Sequence, residues 1–333
     1  MLLTPSQTRC LFQHALKHHY AVLAVNADSH AAIIDCLEVA KQCDSPVIIE
    51  TSLWQLTGHS FGQGDAILGM ARYLADLAVL ADSDRYQNVP VVYHTDHIKG
   101  PDTLTILRAA IQGIHVLIAG QRLSLSASSI SLDSSDLSAE ENIAYMRALC
   151  EAAKTTNLSA TLEMEAGVDD GITELEETRS LFGAVEELHP GYLALWAPGV
   201  GTQHGLGPGG GFDPSAVEHH QKLASEIAQR PIGIALHGSS GLTTLELQSA
   251  VKAGVSKVNW SSESLLIRSQ AAQRYYQEHG DRLTKGHPNF KVTAMDNGVQ
   301  AFVSEAYLPA VCGRMESQGS VGHGRQFINS IKS

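Results

Sequence analysis

Eight short apolar runs of strand-forming residues alternate with longer helical patterns, and this alternation restricts the possible folds more than any other feature. The runs are Ala21–Ala27, Pro46–Ser52, Val89–His97, Gly113–Ala119, Ser159–Gly167, Tyr192–Pro198, Ile232–Gly238 and Ser256–Ser261. Continuous apolar runs fit strands buried on both faces, as in a parallel sheet covered by helices. Their alternation with helices predicts a closed (β/α)8 TIM barrel. Residues from about 265 to 333 read as a C-terminal helical extension, and we expect residues 1–333 to form a single barrel domain.

The segments between the runs carry the apolar spacing of helices, and two of them have clear start signals. The helical segments are His30–Gln42, Asp65–Ala81, Asp102–Gln112, Ala139–Thr155, Ser215–Gln229 and Leu245–Ala253. Ser138 with Glu141, and Thr243 with Glu246, have the spacing of a capping box. We therefore expect helices to begin close to Ser138 and Thr243.

Composition and charge argue against several classes of function. The net charge of −12 does not favour a nucleic-acid-binding surface. No run of about 18 apolar residues is present, so we expect no membrane span. The five cysteines are an odd number without C-x-x-C spacing, which is typical of reduced thiols in a cytoplasmic protein.

Polar residues follow several of the predicted strands, and in a barrel the chemistry lies where strands end. These segments are Glu50–Ser52, His94–His97, Glu163–Gly167, Gly201–Gly205, His237–Gly241 and Asn259–Glu263. Because the carboxyl ends of the strands meet at one rim, we expect histidines, carboxylates and Gly/Ser turns to converge there.

Three of these histidines, His97, His204 and His237, fit a metal site. Three imidazole nitrogens with an open fourth position are the pattern of a catalytic metal centre, and imidazole suits zinc and several other first-row metals. The alternative for each histidine is a hydrogen bond to backbone. Asp96, beside His97, fits a group that moves protons to and from reacting oxygens, or one that orients a histidine.

Glycine and serine residues at the same rim fit anion binding. Gly205 and Gly238 allow backbone N–H groups to approach an anion, and Ser240 adds a hydroxyl. A helix that starts near Thr243 would add its N-terminal dipole. Ordinary turn chemistry explains the same residues, since Gly and Ser are common in turns.

Taken in chain order, the rim segments resemble the motifs of the class II fructose-bisphosphate aldolases. The similar pairs are His94–His97 with H-x-D-H, Leu162–Gly167 with L-E-x-E-x-G, Gly201–Gly205 with G-N-x-H-G, Leu236–Gly241 with H-G-G-S-G (one glycine being replaced), and Lys257–Asn259 with the start of K-x-N-x-D-T-D. The segment around Asp133 and Glu141–Ile143 resembles the family's stretch after strand four. The resemblance covers roughly residues 21 to 263.

The resemblance implies a reversible aldol cleavage of a ketose phosphate, like fructose 1,6-bisphosphate, to dihydroxyacetone phosphate and an aldehyde. It implies that Asp96 donates and accepts the proton at the aldehyde-derived oxygen, and that no Schiff-base lysine is needed. It further implies a homodimer that takes part in cytoplasmic carbohydrate metabolism, in glycolysis.

The resemblance also implies a set of binding residues. A catalytic zinc ion would be held by His97, His204 and His237, with a second divalent position at Asp133 and Glu165 and a monovalent cation besides. The residues implied to contact the donor substrate and its phosphate are Ser52, Gly205, Gly238, Ser239, Ser240, Asn259, Ser261 and Ser262.

Three positions depart from the family's pattern. Ser261–Glu263 stands where the family has D-T-D, so an aspartate near the substrate has become a serine. The acidic loop is shortened, and Asp169 or Asp170 is its candidate replacement. Near the tail, Lys291–Met295 contains no match to the arginine that the family uses for the distal phosphate.

These departures leave two alternatives open. One is an aldolase for a different ketose that lacks the distal phosphate, unless Arg268, Lys285 or Lys291 supplies the missing cation. The other is a non-catalytic barrel that binds sugar phosphates, against which the retained Asp96 and histidines argue.

Overall fold

The structure, a computed structural model, describes residues 1–156, 161–166, 170–206 and 211–332. Within these ranges the strands are β1 (Val22–Asn26), β2 (Val47–Thr51), β3 (Val91–Thr95), β4 (Ile114–Ile118), β5 (Gln121–Leu125), β6 (Ser129–Leu132), β7 (Leu162–Glu165), β8 (Asp170–Ile172), β9 (Leu193–Ala197), β10 (Val200–Gln203), β11 (Gly233–Leu236) and β12 (Val255–Trp260).

Helices connect and cover these strands. They are α1 (Pro5–Lys17), α2 (His30–Gln42), α3 (Leu53–Thr57), α4 (Ala66–Ala81), α5 (Thr103–Gln112), α6 (Ala139–Thr155), α7 (Leu175–Glu177), α8 (Ala184–Leu188), α9 (Pro214–Ala228), α10 (Thr244–Ala253), α11 (Ser262–His279), α12 (Phe290–Ala294), α13 (Asp296–Ser317) and α14 (His323–Lys332), with a π-helical turn at Thr178–Gly183 and a 3-10 turn at Gly280–Arg282. None of the helices in the described ranges has the length and apolarity that crossing a membrane requires.

Eight of the described strands close into a parallel barrel in the order β1-β12-β11-β9-β7-β6-β3-β2. This confirms the predicted (β/α)8 fold. The two capping boxes are also present, with Ser138 capping α6 and Thr243 capping α10.

The predicted fourth strand is wrong. The run Gly113–Ala119 forms β4, which pairs antiparallel with β5 in a hairpin outside the barrel. The fourth barrel strand is β6, which lies between β3 and β7. Ser129 and Ser131 make β6 look polar in the sequence, yet all four of its residues are buried, whereas β4 is largely exposed. Apolar content alone therefore selected the wrong segment.

The barrel interior is apolar at the amino ends of the strands, here called the lower end, and polar at their carboxyl ends, the upper end. Side chains of alternate strand residues point inward. An inner cluster packs side chains of α1, among them Leu11 and Phe12, against Val22, Ala24 and Ile48, and so closes the lower end. Further along the same strands, the inward positions are polar.

The strand register aligns these polar positions. Asn26 on β1 is paired with Glu50 on β2, Glu50 with His94 on β3, and His94 with Ser129 on β6. The result is a buried polar layer beneath the carboxyl ends of the strands.

The C-terminal segment is helical, as predicted. The long helix α13 contacts α11, α2 and α10, and therefore covers the barrel between the first and last strands. The expectation that the whole chain forms one domain stays a prediction.

Candidate active site

A cavity of about 620 Å³ opens at the carboxyl ends of the barrel strands. Its lining contains the predicted site residues Ser52, Asp96, His97, Asp133, His204, Gly205, His237, Gly238, Ser239, Ser240, Asn259, Ser261 and Ser262. Glu165 is not part of the lining, but one of its carboxylate oxygens lies within 4.8 Å of ligand atoms of Asp96, His97 and His237. The tertiary structure thus brings together residues from seven parts of the chain.

The three histidines converge on one point. One ring nitrogen of each of His97, His204 and His237 lies within 4.8 Å of the others. The ring centroids are 5.1 to 5.9 Å apart. Nitrogens that close, on rings that are only half-buried, fit the donor set of a metal ion with an open position.

Two carboxylates flank this histidine cluster. Asp133 Oδ2 lies 3.3 Å from His97 Nδ1. Burial would raise the pKa of Asp133, but hydrogen bonds from His97 and Ser135 hold that pKa well below its usual range. For Glu165 burial dominates, and its pKa is raised to about 7. In the absence of a cation, Glu165 therefore holds a proton much more readily than Asp133 does.

Asp96 is buried and held by two amides. Asn26 Nδ2 donates to Asp96 Oδ2 and Asn259 Nδ2 donates to Asp96 Oδ1, each at 3.0 Å. Burial would raise the pKa of this carboxyl, but the opposite charges of His97 and Lys257 lower it to about 2. Asp96 is therefore ionised at neutral pH and oriented toward the cavity.

A group of buried charged residues lies beneath the histidines, and the sequence motifs had given it no role. His237 Nε2 lies 2.8 Å from Glu163 Oε1, and Lys257 Nζ lies 2.8 Å from Glu163 Oε2. Lys257 is also 3.6 Å from Glu50 Oε2, and His94 Nε2 is 3.8 Å from Glu163 Oε2. All four residues of this floor, Glu50, His94, Glu163 and Lys257, are fully buried.

The alternation of side chains along each strand was the sequence signal that could have predicted these four buried residues. Glu163 precedes Glu165 by two residues, and Lys257 precedes Asn259 by two. Residues two apart on a strand point to the same side. Any polar residue two positions before a rim residue was therefore a candidate for the layer below it.

Two loop positions in the cavity lining, Gly205 and Gly238, have backbone conformations that favour glycine. Gly238 has a φ of +64°, and a Cβ there would lie 2.7 Å from the backbone oxygen of Gln203. Gly205 also has a positive φ, of +88°. The N-terminus of α11 lines the cavity through Ser261 and Ser262, and that of the short helix α3 lines it through Ser52 and Leu53, whereas Thr243 at the start of α10 does not.

Three of the predicted serines are engaged within the protein: Ser52 donates to Gln55 Oε1 at the start of α3, and the other two, Ser239 and Ser240, lie in the loop after β11. Ser239 is buried and donates to the backbone oxygen of Asn259 at 2.5 Å. Ser240 Oγ accepts from the backbone N–H of Glu263 at 3.2 Å. Both serines thus help to fix the loop after β11 against the end of β12.

Among the described residues, Lys99 is the lysine or arginine that lines the cavity. Lys99 lines the cavity and contacts Asp136 at 3.4 Å and Asp133 at 3.9 Å. Arg268, Lys285 and Lys291 are not among the described residues that line it. Arg268 instead pairs with Asp28.

The cavity is also lined by three apolar residues that the sequence analysis did not predict: Leu53, Trp54 and Leu265. Trp54 is 87% exposed, so its indole stands largely in solvent beside the opening. Of the two candidates for the acidic loop, Asp169 lies outside the described residues, as does the side chain of Asp170.

Comparison with known proteins decides the family. Residues 6–318 match the family described as "Fructose-bisphosphate aldolase class-II". The chain belongs to this family. It is 29% identical over 280 residues to a fructose-bisphosphate aldolase of Mycoplasma pneumoniae. The aligned region covers 81% of this chain and 84% of that protein. A fructose-bisphosphate aldolase of Schizosaccharomyces pombe is 27% identical over 310 residues, 82% and 81% of the two chains.

A solved structure of similar fold supports the same architecture. The fructose-bisphosphate aldolase of Campylobacter jejuni superimposes with a TM-score of 0.79 at 21% identity, covering 96% of this chain and 95% of that one. The family is that of metal-dependent aldolases, so the protein is a carbon–carbon lyase that cleaves a ketose phosphate. The resemblance found in the sequence is confirmed, and the non-catalytic alternative is set aside.

Proposed function

We propose that this aldolase reversibly cleaves fructose 1,6-bisphosphate, or a closely similar ketose phosphate, to dihydroxyacetone phosphate and an aldehyde. One observation carries the proposal: three histidine nitrogens within 4.8 Å of one another adjoin the buried carboxylate of Asp96 in a single cavity. A metal-binding donor set next to a fixed proton acceptor is the combination that metal-assisted aldol chemistry needs.

His97, His204 and His237 would hold the metal, and zinc suits three imidazoles with an open position. When bound there, zinc polarises the substrate carbonyl and stabilises negative charge on its oxygen. Asp133 and Glu165 are the proposed second divalent position, since their carboxylates adjoin the same histidines. A monovalent cation at the site rests on the family relationship alone.

Asp96 is proposed to move the proton at the aldehyde-derived oxygen. In the cleavage direction a hydroxyl of the ketose must lose its proton, and Asp96 is an ionised acceptor held by Asn26 and Asn259. In the synthesis direction the same carboxyl returns the proton. Because both of its oxygens are fixed by amides, the carboxylate needs little rearrangement to act.

The donor phosphate is proposed to bind between the loops after β10 and β11 and the start of α11. Backbone N–H groups near Gly205 and Gly238, and the N-terminus of α11 at Ser262, favour an anion there. The remaining proposed contacts are Ser52, Ser240, Asn259 and Ser261. For Ser239 we propose a supporting role only, because its hydroxyl is buried and donates to Asn259.

A second candidate substrate is a ketose without the distal phosphate. It is favoured by the described lining of the cavity, in which Lys99 is the cationic side chain and is paired with Asp133 and Asp136. The apolar residues Leu53, Trp54 and Leu265 at the mouth suit an uncharged end of the substrate better than a phosphate.

Finer features of the protein's setting are also proposals. A homodimer, a place in glycolysis and a cytoplasmic location are supported by the family relationship and, for the location, by five cysteines that are all free thiols. Small sugar phosphates as ligands are supported by the family relationship, and the net charge of −12 argues against nucleic acid as a partner.

The decisive experiment measures cleavage of fructose 1,6-bisphosphate before and after metal removal. A strong chelator is expected to abolish turnover, and added zinc to restore it. His204→Ala should lose bound metal, whereas the control His219→Ala, an exposed histidine on α9, should retain both metal and turnover. Full turnover by protein shown by elemental analysis to be free of metal would refute the proposal.

A further inference from the structure

The buried pair Glu163–Lys257 contacts a proposed metal ligand directly. Glu163 Oε1 lies 2.8 Å from His237 Nε2, while its other oxygen lies 2.8 Å from Lys257 Nζ. Glu163 and Lys257 have no exposed side-chain surface, and His237 is only 13% exposed. A contact this short between a fully buried carboxylate and a largely buried imidazole leaves the imidazole little freedom to turn.

The pair also connects the proposed metal ligand His237 with the proposed proton-transfer group Asp96. Lys257 Nζ is 3.6 Å from Glu50 Oε2, and Glu50 Oε1 accepts from Asn26 Nδ2 at 2.9 Å. Asn26 donates in turn to Asp96. A continuous run of polar contacts therefore leads from His237 through Lys257 to the proposed proton-transfer group.

We infer that Glu163, held in place by Lys257, is a positioning residue that fixes the ring orientation and the protonated nitrogen of His237. The inference rests on the proposed function of His237 as a metal ligand. With Nε2–H donated to Glu163, only Nδ1 of His237 retains a lone pair for a metal. Carboxylates that hold ligand histidines in this way set the tautomer and raise metal affinity.

Lys257 has its own part in this arrangement. It is the cation between two buried carboxylates, Glu163 and Glu50, so it offsets their charge and keeps the Glu163 carboxylate in place. A buried ion pair can also be purely structural. The pair Glu186–Arg230 offers that comparison, because Glu186 is 4% exposed, contacts Arg230 at 2.5 Å and does not line the cavity.

The test compares Glu163→Gln with Glu186→Gln in the purified full-length protein. Three quantities are measured: zinc affinity by competition with a chromophoric chelator, the visible spectrum of the cobalt-loaded protein, and the melting temperature of the metal-free protein. Glu163→Gln is expected to lower zinc affinity by about 10–100-fold and to change the cobalt spectrum. Glu186→Gln is expected to lower the melting temperature while leaving zinc affinity and spectrum unchanged.

Glu163→Asp provides a second variant, because it keeps a charge beside Lys257 but shortens the reach to His237. It should fold and still bind zinc more weakly than the parent. Parent-like zinc affinity and cobalt spectrum in the folded Glu163 variants would overturn the inference and leave the metal site intact. Failure of the parent protein itself to bind zinc would instead contradict the proposed function.

A second and independent observation concerns two thiols far from the cavity. Cys43, which follows α2, and Cys312, on α13, have their Sγ atoms 3.3 Å apart, and both residues are partly exposed. Helix α2 begins after the cavity end of β1, so Cys43 lies at the opposite end of the barrel. The two sulfurs thus adjoin each other on separate helices, outside the active site.

We propose that Cys43 and Cys312 form a disulfide when the protein meets a low-molecular-weight disulfide. One protein thiolate attacks the small disulfide and releases one small thiol; the other protein thiolate then displaces the second. Two protein S–H groups become one S–S bond, and the small disulfide is reduced to two thiols. Burial and the neighbouring Cys312 raise the pKa of Cys43 to about 12, so the reaction is slow at neutral pH.

Incubation of the full-length protein with oxidised glutathione at pH 8.5, followed by peptide mass analysis without reductant, tests this proposal. We expect a peptide pair linked through Cys43 and Cys312 and a melting temperature raised by about 3–6 °C. Cys43→Ser and Cys312→Ser should each abolish both changes, whereas Cys10→Ser, at an exposed cysteine, should not. Glutathione attached to either cysteine without a protein crosslink would disprove the proposal.

Discussion

Asp96 and His97 are neighbours in sequence, yet the side chains of both reach the same cavity, because the strand ends before them and the backbone turns at His97. Strand β3 ends at Thr95, and His97 has a φ of +48°, in the left-handed region. In a continuing strand the two side chains would point to opposite faces. The turn instead leaves His97 Nε2 3.8 Å from Asp96 Oδ1, so a proposed metal ligand and a proposed proton acceptor share one site.

Asp96→Ala is expected to keep bound metal and to reduce kcat by roughly 10²–10⁴-fold, the usual effect of losing a positioned acid–base group. If Asp96 only orients a histidine, metal affinity should fall by about 10–100-fold instead. Both quantities are measured on the same variant. Asp102→Ala is the control, because Asp102 is exposed and caps no helix through its side chain. Unchanged kcat would remove Asp96 from the reaction.

Gly238→Ala is expected to raise KM for the ketose phosphate, because the added Cβ would lie 2.7 Å from the Gln203 oxygen and displace the proposed phosphate loop. Loss of one hydrogen bond to a charged phosphate corresponds to about a 10–100-fold effect. Gly120→Ala is a matched control, since Gly120 also has a positive φ but has open space around it in the outer hairpin. Equal effects of both substitutions on KM would contradict the assignment.

The far end of the substrate can be tested by comparing kcat/KM for fructose 1,6-bisphosphate with kcat/KM for matched ketose 1-phosphates. If no cation serves the distal phosphate, the bisphosphate should gain nothing from it. One missing charge-assisted contact would weaken its binding by about one to two orders of magnitude. A clear preference for the bisphosphate would show that a distal phosphate site exists and would eliminate the second candidate substrate.

His14 should make the protein sensitive to acid. Burial, together with the nearby His18 and His323, lowers the pKa of this imidazole to about 4. In the unfolded chain a histidine has a pKa of about 6.5. Between these values the unfolded state binds more protons, so the His14 contribution to stability is complete above pH 6.5 and is lost as the pH falls through 4.

The melting temperature of His14→Gln should therefore depend less on pH than that of the parent between pH 6.5 and pH 4. His219→Gln, at an exposed position, should follow the parent curve. Parallel curves for His14→Gln and the parent would show that His14 does not cause the acid sensitivity.

The sequence by itself was enough to predict most of the barrel strands and the site residues at their carboxyl ends. Hydrophobic periodicity and caps are local properties, so seven of the eight barrel strands and the starts of α6 and α10 could be predicted. The motifs also predicted residues that line one cavity, such as His97, His204 and His237, because strand ends in a barrel meet at one rim.

Only the tertiary structure decided which segment forms the fourth barrel strand and which buried charged side chains contact one another. The serine-containing β6 is inside and the more apolar β4 outside, because burial depends on which neighbours a segment finds and not on its composition alone. Glu163 and Lys257 lie on β7 and β12, His237 directly follows β11, and their contacts depend on how these strands align. The period of two along each strand places these residues in one layer, but which of them are in contact depends on how segments distant in the chain align in the closed barrel.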